Sequence, residues 1–255
     1  MSKLTKKTIF ITGGSSGIGL ALAKLYAEND YCVGICGRNI NRLPENILTD
    51  HSNIEFYPID VTNKSQLEKS MQTFVAKNGQ HLNIVIANAG RSSGSKKHLP
   101  KFDIVEDIIK TNINGVINTF AVATDIFMQQ GFGHLVAIAS VAGFLGLPGS
   151  APYSASKAAI LIYCESLAID LSRYSIKVTA IAPGFIDTPL TQQNDHAMPF
   201  LMPATKAAKL IKKAIDKGKV RYIFPLRMKF IVIILAILPR NWYRGLIKLS
   251  SYPNK

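Results

Sequence analysis

The sequence predicts a single α/β domain of the doubly wound class, in which a parallel β-sheet carries helices on both faces. Segments with strand and helix patterns alternate from residue 8 to residue 185, as they do when a crossover helix follows each strand. The candidate strands 84–87, 135–139 and 178–182 are apolar at nearly every position. Such runs are typical of central parallel strands covered on both sides. A chain of 255 residues is long enough for one domain with a sizeable core.

The strongest local motif lies near the N-terminus and predicts a binding site for a nucleotide. Residues 8–12 are β-branched or aromatic and predict a buried strand, and 20–27 are strong helix formers. The glycine-rich turn between them would let a pyrophosphate approach the backbone at a helix N-terminus, although an ordinary βα turn is the alternative. The candidate cofactor-binding residues of this turn are Gly13, Ser15, Ser16, Gly17, Ile18 and Gly19.

Arg38 favours NADP over NAD as the cofactor. It follows a second predicted strand, 31–36, and lies 19 residues after Gly19. In a dinucleotide-binding fold, the residue that contacts the adenosine ribose lies near this position. It is an acid where the cofactor is NAD or an arginine where the cofactor is NADP. No Asp or Glu occurs between Val33 and Asn41, and a guanidinium can hold a 2′-phosphate with several donors. The alternative is that Arg38 is an ordinary solvated loop residue.

Tyr153 and Lys157 form a candidate catalytic pair. In a helix their side chains would lie one turn apart on the same face. A phenol has a pKa of about 10, and a nearby ammonium lowers the pKa, so Tyr153 could exchange a proton with a carbonyl or alcohol oxygen. The Ser140 hydroxyl could hold that oxygen. Tyr and Lys at this spacing are more often part of a solvated helix face, so the pair gains weight only from the other motifs.

In the order of its motifs the chain resembles the short-chain dehydrogenase/reductase (SDR) family over residues 8–190. The matching motifs are Thr12 to Gly19, Asp60-Val61, Asn88-Ala89-Gly90, Asn112, Ser140, Tyr153 with Lys157, and Pro183-Gly184 followed by Thr188.

The resemblance implies a Rossmann-like fold and hydride transfer between NADP(H) and a carbonyl or secondary alcohol. It implies that Tyr153 transfers the proton, that Lys157 lowers the pKa of Tyr153 and binds the nicotinamide ribose, and that Ser140 orients the substrate oxygen. Asn112 would support a proton relay. The further cofactor contacts that it implies are Asp60, Val61, Asn88, Ala89, Gly90, Pro183, Gly184, Ile186 and Thr188.

A short segment, 189–203, is expected to bind a substrate that is small and hydrophobic. Its large apolar residues are Leu190, Met198, Phe200, Leu201 and Met202. A different class of function remains open, because the same fold could serve as a non-catalytic NADP-binding regulatory or scaffold protein.

Cysteine and histidine usage predicts neither disulfides nor a metal site. The three cysteines, Cys32, Cys36 and Cys164, form no CxxC motif, and the five histidines show no ligand spacing. The first apolar run is too short for the core of a signal peptide. We therefore expect a cytoplasmic protein.

The C-terminal part is strongly basic. Residues 206–255 hold 13 Lys and Arg against one acid, Asp216, a balance of +12 within a total of +14. An amphipathic helix is predicted over 203–217 and a last edge strand over 220–224. We therefore divide the chain into a catalytic domain, 1–225, and a basic, hydrophobic tail, 226–255.

The tail has more than one possible partner. Residues 230–238 are continuously apolar, but nine residues are too few for a membrane span, which needs about 20. The tail could attach peripherally to an anionic membrane surface. It could equally pack on its own domain or on a second subunit of a homo-oligomer, a dimer or tetramer. Nucleic acid is not expected as a partner, because no nucleic-acid motif accompanies the charge.

Overall fold

A computed structural model of the chain describes residues 6–92, 102–193 and 197–251. Seven parallel strands form one sheet with helices on both faces, which confirms the predicted fold class. The strands of this sheet are β1 (Thr8–Thr12), β2 (Cys32–Gly37), β3 (Ile54–Pro58), β4 (Ile84–Ala87), β5 (Gly133–Ile138), β6 (Ile176–Pro183) and β9 (Arg221–Phe224). Two further short strands, β7 (Ile186–Asp187) and β8 (Met202–Pro203), form a separate pair. The helices are α1 (Gly17–Ala27), α2 (Ile47–Asp50), α3 (Lys64–Lys77), α4 (Val105–Ile109), α5 (Gly115–Gln130), α6 (Ala151–Asp170), α7 (Ala204–Asp216), α8 (Leu226–Ile237) and α9 (Arg240–Ser251).

The strand order places a crevice at the centre of the sheet. The order is β3-β2-β1-β4-β5-β6-β9, so the chain winds outward from β1 in one direction and from β4 in the other. Ligands of doubly wound sheets bind at such a switch point, beyond the carboxyl ends of the strands. The separate pair β7-β8 comes from residues that follow β6 and precede α7. The predicted edge strand 220–224 is confirmed as β9, and the predicted amphipathic helix as α7.

Alternation along β1 builds the two layers of the core. Ile9 and Ile11 point to the face covered by α1 and α7, where they join Leu22 and Ile211. Phe10 points to the opposite face, which α3, α5 and α6 cover. All three of these strand residues are fully buried. Because both faces of β1 are covered, its sequence is apolar on both sides rather than alternating.

The C-terminal helices pack on the domain through a few residues only. Met228 and Val232 of α8 are buried, as is Tyr243 of α9. The Tyr243 hydroxyl donates a hydrogen bond of 2.7 Å to the carbonyl oxygen of Gly146. Within the ranges described above, no helix is both long enough and apolar enough to cross a membrane. Residues 252–255 of the predicted tail lie outside the described residues.

Phe74 tests the packing of the core. It is fully buried, and its ring centroid lies 5.8 Å from that of Phe10. We expect Phe74→Ala to lower the free energy of unfolding by about 3–5 kcal/mol, because it removes buried apolar area and leaves a cavity. Phe102→Ala is the matched control, because 82% of the Phe102 surface is exposed. Urea unfolding measures the free energy of unfolding of both variants. An equal loss of stability in Phe74→Ala and Phe102→Ala would contradict the assignment of Phe74 to the core.

Candidate active site

One cleft at the carboxyl ends of the central strands brings the predicted site residues together. Every predicted catalytic or cofactor-binding residue lines it except Gly19 and Asn112. Those two lie behind the lining, where they support it. The residues of the cleft that sequence reasoning missed include Arg42, Arg91, Thr111, Ile138, Ala139 and Pro189.

The glycine turn packs too tightly for side chains at two of its positions. Gly13 has φ +64°, and a Cβ there would lie 2.8 Å from Ala89 Cα. A Cβ on Gly19 would lie 2.3 Å from the carbonyl oxygen of Gly13, so this glycine closes the turn from inside. Ser16 precedes α1 without capping it by its side chain, and no acidic residue occurs in the first turn. The turn therefore presents helix N–H groups, with no carboxylate in the first turn of α1 to repel an anion.

Asn88 fixes the glycine turn to the end of β4. Its Nδ2 donates hydrogen bonds of 3.0 Å to the carbonyl oxygens of both Thr12 and Gly13. In return Thr12 Oγ1 accepts from the backbone N–H groups of Asn88 and Ala89, at 3.1 and 3.2 Å. The Asn88 side chain thus shapes the cleft by holding β1 and β4 together.

Basic side chains gather at the end of the cleft beside β2. Arg38 Nε lies 3.9 Å from Asp60 Oδ2, and its side chain is 58% exposed. Such a long, exposed ion pair holds the guanidinium only weakly. Arg42 lines the same end, at the last position of a 3₁₀ turn, 40–42. Sequence reasoning missed Arg42, although its position four residues after Arg38 was a usable signal. The buried Ser15 lies opposite, beside Gly37.

The predicted pair Tyr153 and Lys157 lies on one face of α6, at the other end of the cleft. Lys157 Nζ lies 5.7 Å from the centroid of the Tyr153 ring and donates a hydrogen bond of 2.8 Å to the carbonyl oxygen of Ile138. Ser140 is hydrogen-bonded to the Tyr153 hydroxyl. Its Oγ also accepts from the Ala142 N–H at 3.1 Å, which orients the serine.

Burial dominates the electrostatics of this pair. It raises the pKa of Tyr153, an effect that the hydrogen bond from Ser140 partly offsets. Burial also lowers the pKa of Lys157 to about 8. The expected lowering of the Tyr153 pKa by Lys157 is not observed. The physical reason is that the ammonium lies over the ring and bonds to Ile138, so desolvation of the phenolate is the larger effect.

Asn112 is fully buried behind the pair, within a π-helical turn, 110–114. Its Nδ2 donates to the Arg91 carbonyl oxygen at 3.0 Å and to Ser156 Oγ at 2.9 Å, while its Oδ1 accepts from the Arg91 N–H at 2.7 Å. Ser156 Oγ in turn donates to the carbonyl oxygen of Tyr153 at 2.7 Å. Asn112 therefore links the loop after β4 to the first turn of α6. Sequence reasoning missed Ser156, although it lies inside the Tyr153–Lys157 motif.

The segment after β6 covers the cleft. Pro183 and Gly184 line it directly, and the following Ile186 and Thr188 do so from β7 and the turn beyond. A Cβ on Gly17 would lie 3.1 Å from Thr188 Cβ, so this segment meets the glycine turn across the cleft. Residues 194–196 of the predicted substrate segment lie outside the described residues.

A cleft built this way, at the switch point of a doubly wound parallel sheet, is typical of dinucleotide-binding proteins. A family model described as short chain dehydrogenase matches residues 7–199, well over half of the chain. An uncharacterized oxidoreductase of Myxococcus xanthus is 35% identical over 245 residues, which cover 94% of this chain and 95% of the relative. The chain therefore belongs to the short-chain dehydrogenase family of oxidoreductases.

Solved structures agree with this assignment. ElxO with NADP bound has a TM-score of 0.76 and 28% identity, over 86% of this chain and 96% of that one. A 3-ketoacyl-ACP reductase from Sinorhizobium meliloti has a TM-score of 0.74 and 25% identity, over 85% of this chain and 96% of that one. Both matches extend over most of the seven-stranded domain.

The depressed pKa of Lys157 predicts a pH dependence of stability. Between about 8, its pKa in the folded chain, and 10.5, its ordinary value, the unfolded chain holds a proton that the folded chain has lost. The free energy of unfolding should therefore rise with pH across this window, while the full penalty of burying the ammonium remains below pH 8. We expect this rise, on the order of 3 kcal/mol, to be missing in Lys157→Met.

Urea unfolding of wild type and variant at a series of pH values makes the measurement. Lys64→Met, at the exposed start of α3, controls for the loss of one positive charge. A stability difference between wild type and Lys157→Met that stays constant across the window would mean that the Lys157 ammonium is not desolvated.

Proposed function

We propose that the protein is an NADP-dependent oxidoreductase that transfers a hydride between NADP(H) and the carbonyl or secondary alcohol of a hydrophobic substrate. The observation that carries this proposal is the Tyr153 hydroxyl, hydrogen-bonded to Ser140 beside Lys157, in the cleft that begins at the glycine turn. A non-catalytic role on the same fold is not favoured, because the family consists of oxidoreductases and the proton-transfer residues lie together.

The residues of the cleft fit the three parts of a dinucleotide. At the β2 end, Arg38 and Arg42 offer guanidinium donors to a phosphorylated ribose. In the middle, the glycine turn brings the backbone and the α1 N-terminus to the cleft without any acidic side chain. At the β5 end, Lys157 Nζ makes one described hydrogen bond, to Ile138, and so has further donors for ribose hydroxyls. When bound, the nicotinamide supplies or accepts the hydride.

The protein's own residues handle the proton. In reduction, the Tyr153 hydroxyl donates its proton to the substrate oxygen, and the Ser140 hydroxyl donates a hydrogen bond to the same oxygen. Because burial raises its pKa, Tyr153 is held protonated at neutral pH, which suits proton donation and so favours the reduction of a carbonyl. In the reverse direction the hydrogen bond from Ser140 stabilises the phenolate that must form.

Lys157 and Asn112 have supporting roles in this proposal. The Lys157 ammonium holds the ribose and supplies positive charge behind Tyr153. Asn112 positions Tyr153 through Ser156, since Ser156 donates to the Tyr153 backbone. A proton relay through Asn112 stays a prediction, because both polar atoms of its side chain already bond to protein groups.

The apolar segment after β6 supports a hydrophobic substrate. Leu190 lines the cleft, and Phe200 and Leu201 lie exposed on the same segment. Met202 is different, because β8 pairs it with Ile186 and buries it in the core. Leu190 is thus the apolar residue of this segment best placed to meet a substrate, and Met202 supports the segment from inside.

Replacement of Tyr153 tests the proposed chemistry. The wild-type chain should oxidise NADPH in the presence of at least one member of a broad panel of hydrophobic ketones and aldehydes. Tyr153→Phe should lower kcat by at least the ~10²–10⁴-fold typical of general acid–base catalysis while NADPH still binds, because only the phenolic oxygen is removed.

Tyr163→Phe is the matched control for this test. Tyr163 lies on the same helix, outside the cleft, and stacks on Phe120 at 6.3 Å. It should keep wild-type turnover. Binding of NADPH without oxidation by any member of the panel would instead support the non-catalytic alternative, and substantial turnover by Tyr153→Phe would refute the role of Tyr153.

Replacement of Arg38 tests the preference for NADPH over NADH. Arg38→Asp should weaken NADPH binding and improve the relative binding of NADH, because it removes a donor and places a carboxylate beside the 2′-phosphate. Arg173→Asp, far from the cleft in the turn 172–174, makes the same change of net charge and should leave the preference unchanged. Fluorescence titration with NADPH and with NADH measures the two affinities, and their ratio gives the preference. If only Arg42→Asp alters the preference, Arg42 and not Arg38 reads the phosphate.

A further inference from the structure

We infer that α8 and α9 bind the chain peripherally to an anionic lipid surface. Six apolar side chains of these helices, each more than half exposed, form what we term the tail surface. They are Leu226, Phe230, Ile234, Ile237, Trp242 and Leu246. The inference concerns the C-terminal helices and needs no assumption about turnover.

The exposed face of α8 is apolar, whereas the solvent-facing side of a helix in a water-soluble protein is normally polar. Met228 and Val232, one turn apart, are its buried residues. At 100° per residue, Phe230, Ile234 and Ile237 fall on the opposite side of the helix. Ile237 is 78% exposed. A helix that is hydrophobic all round belongs in a protein core or a membrane, and α8 contacts its own domain on one side only.

The second helix, α9, has the pattern of an interfacial helix. Arg240, Arg244 and Lys248 recur every four residues and form a basic stripe along one side. Trp242, which is 71% exposed, and Leu246 lie together on another side, next to the buried Tyr243. Basic residues on one face with Trp and Leu on another are typical of helices that lie in the headgroup region of a bilayer.

Charge selects a lipid surface over a second copy of this chain. No Asp or Glu follows Asp216 in the sequence, so α8 and α9 contribute basic residues and no carboxylates to the borders of the tail surface. In a symmetric dimer the same patch meets itself, and these basic borders would face each other without carboxylates. Anionic headgroups complement the same borders, with a contribution of about 1 kcal/mol for each basic residue near the surface.

Helices α8 and α9 pack next to the cleft through the sides that face away from the tail surface. A Cβ on the cleft residue Gly184 would lie 3.4 Å from Met228 Cγ of α8. Arg227 lies over the ring of Phe200, with 5.7 Å between the guanidinium carbon and the centroid, so α8 also meets the segment after β6. Tyr243 holds α9 to Gly146, in the loop that follows Ser140. A bilayer that covers the tail surface would therefore be separated from these cleft residues by α8 itself, a helix about 10 Å across.

Vesicle binding tests the inference on the full chain. Wild type should co-sediment with phosphatidylcholine vesicles that contain phosphatidylglycerol, and much less with phosphatidylcholine alone. Ile234→Ser with Ile237→Ser should abolish this binding, because 60% and 78% of these side chains are exposed for insertion. Ile162→Ser with Ile169→Ser on α6 is the matched control, with 66% and 72% exposure, and should bind as wild type does.

A second pair of variants tests the charge. Arg244→Gln and Lys248→Gln should each weaken binding to the anionic vesicles about fivefold, the equivalent of ~1 kcal/mol, and added salt should reduce the difference. Circular dichroism should show that every variant remains folded.

Two outcomes would overturn the inference. One is a folded wild-type protein that does not co-sediment with anionic vesicles. The other is a wild-type oligomer, measured by sedimentation velocity, that Ile234→Ser with Ile237→Ser dissociates without any loss of lipid binding. Because vesicle binding is measured without substrate or nucleotide, its failure is distinguishable from a failure of the proposed oxidoreductase activity.

Discussion

The hydrogen-bonded junction between β1 and β4 is the constraint on which the rest of the site depends. Four hydrogen bonds join the strand ends there. Two link Thr12 with Asn88, one runs from Asn88 Nδ2 to the Gly13 carbonyl oxygen, and one runs from the Ala89 N–H to Thr12 Oγ1. The junction lies at the switch point of the sheet, where no crossover helix fills the space between neighbouring strands. It also fixes the direction in which the glycine turn leaves β1. The cleft is thus set by two side chains, those of Thr12 and Asn88, each of which bonds to the backbone at the end of the neighbouring strand.

A second network ties the proposed proton donor to the same frame. Asn112 bonds the loop after β4 to Ser156, and Ser156 bonds the backbone of Tyr153. Asn112 and Ser156 are both fully buried, so each of these hydrogen bonds would leave an unpaired polar group if it broke. The position of the phenol is therefore coupled to the loop that follows β4. A π-helical turn at Asn112 fits this role, since such turns often occur at functional sites.

Much of the fold could be predicted because its signals are local. Strands such as β1 and β4 are continuous apolar runs, and the turn from Gly13 to Gly19 needs glycine for steric reasons that hold within a few residues. The partners of Asn88 and Asn112 could not be predicted, because they lie 75 and 44 positions away along the chain. The direction of Lys157 Nζ was missed for the same reason, since its acceptor belongs to β5. The position of Arg42 in the cleft depends on the short 3₁₀ turn, 40–42, after β2, and this turn was not predicted from the sequence.

The tail shows why hydropathy alone could not decide its environment. An apolar run of nine residues is compatible with a core helix, a subunit contact or a membrane surface. The fold argues against a core helix, because Met228 and Val232 are the buried residues of α8 whereas Phe230, Ile234 and Ile237 are exposed. We infer that charge separates the other two, because the basic residues of α8 and α9 would repel a symmetric copy and attract anionic headgroups. Because α8 packs against Gly184 through Met228, the cleft and the exposed apolar face lie on opposite sides of this helix.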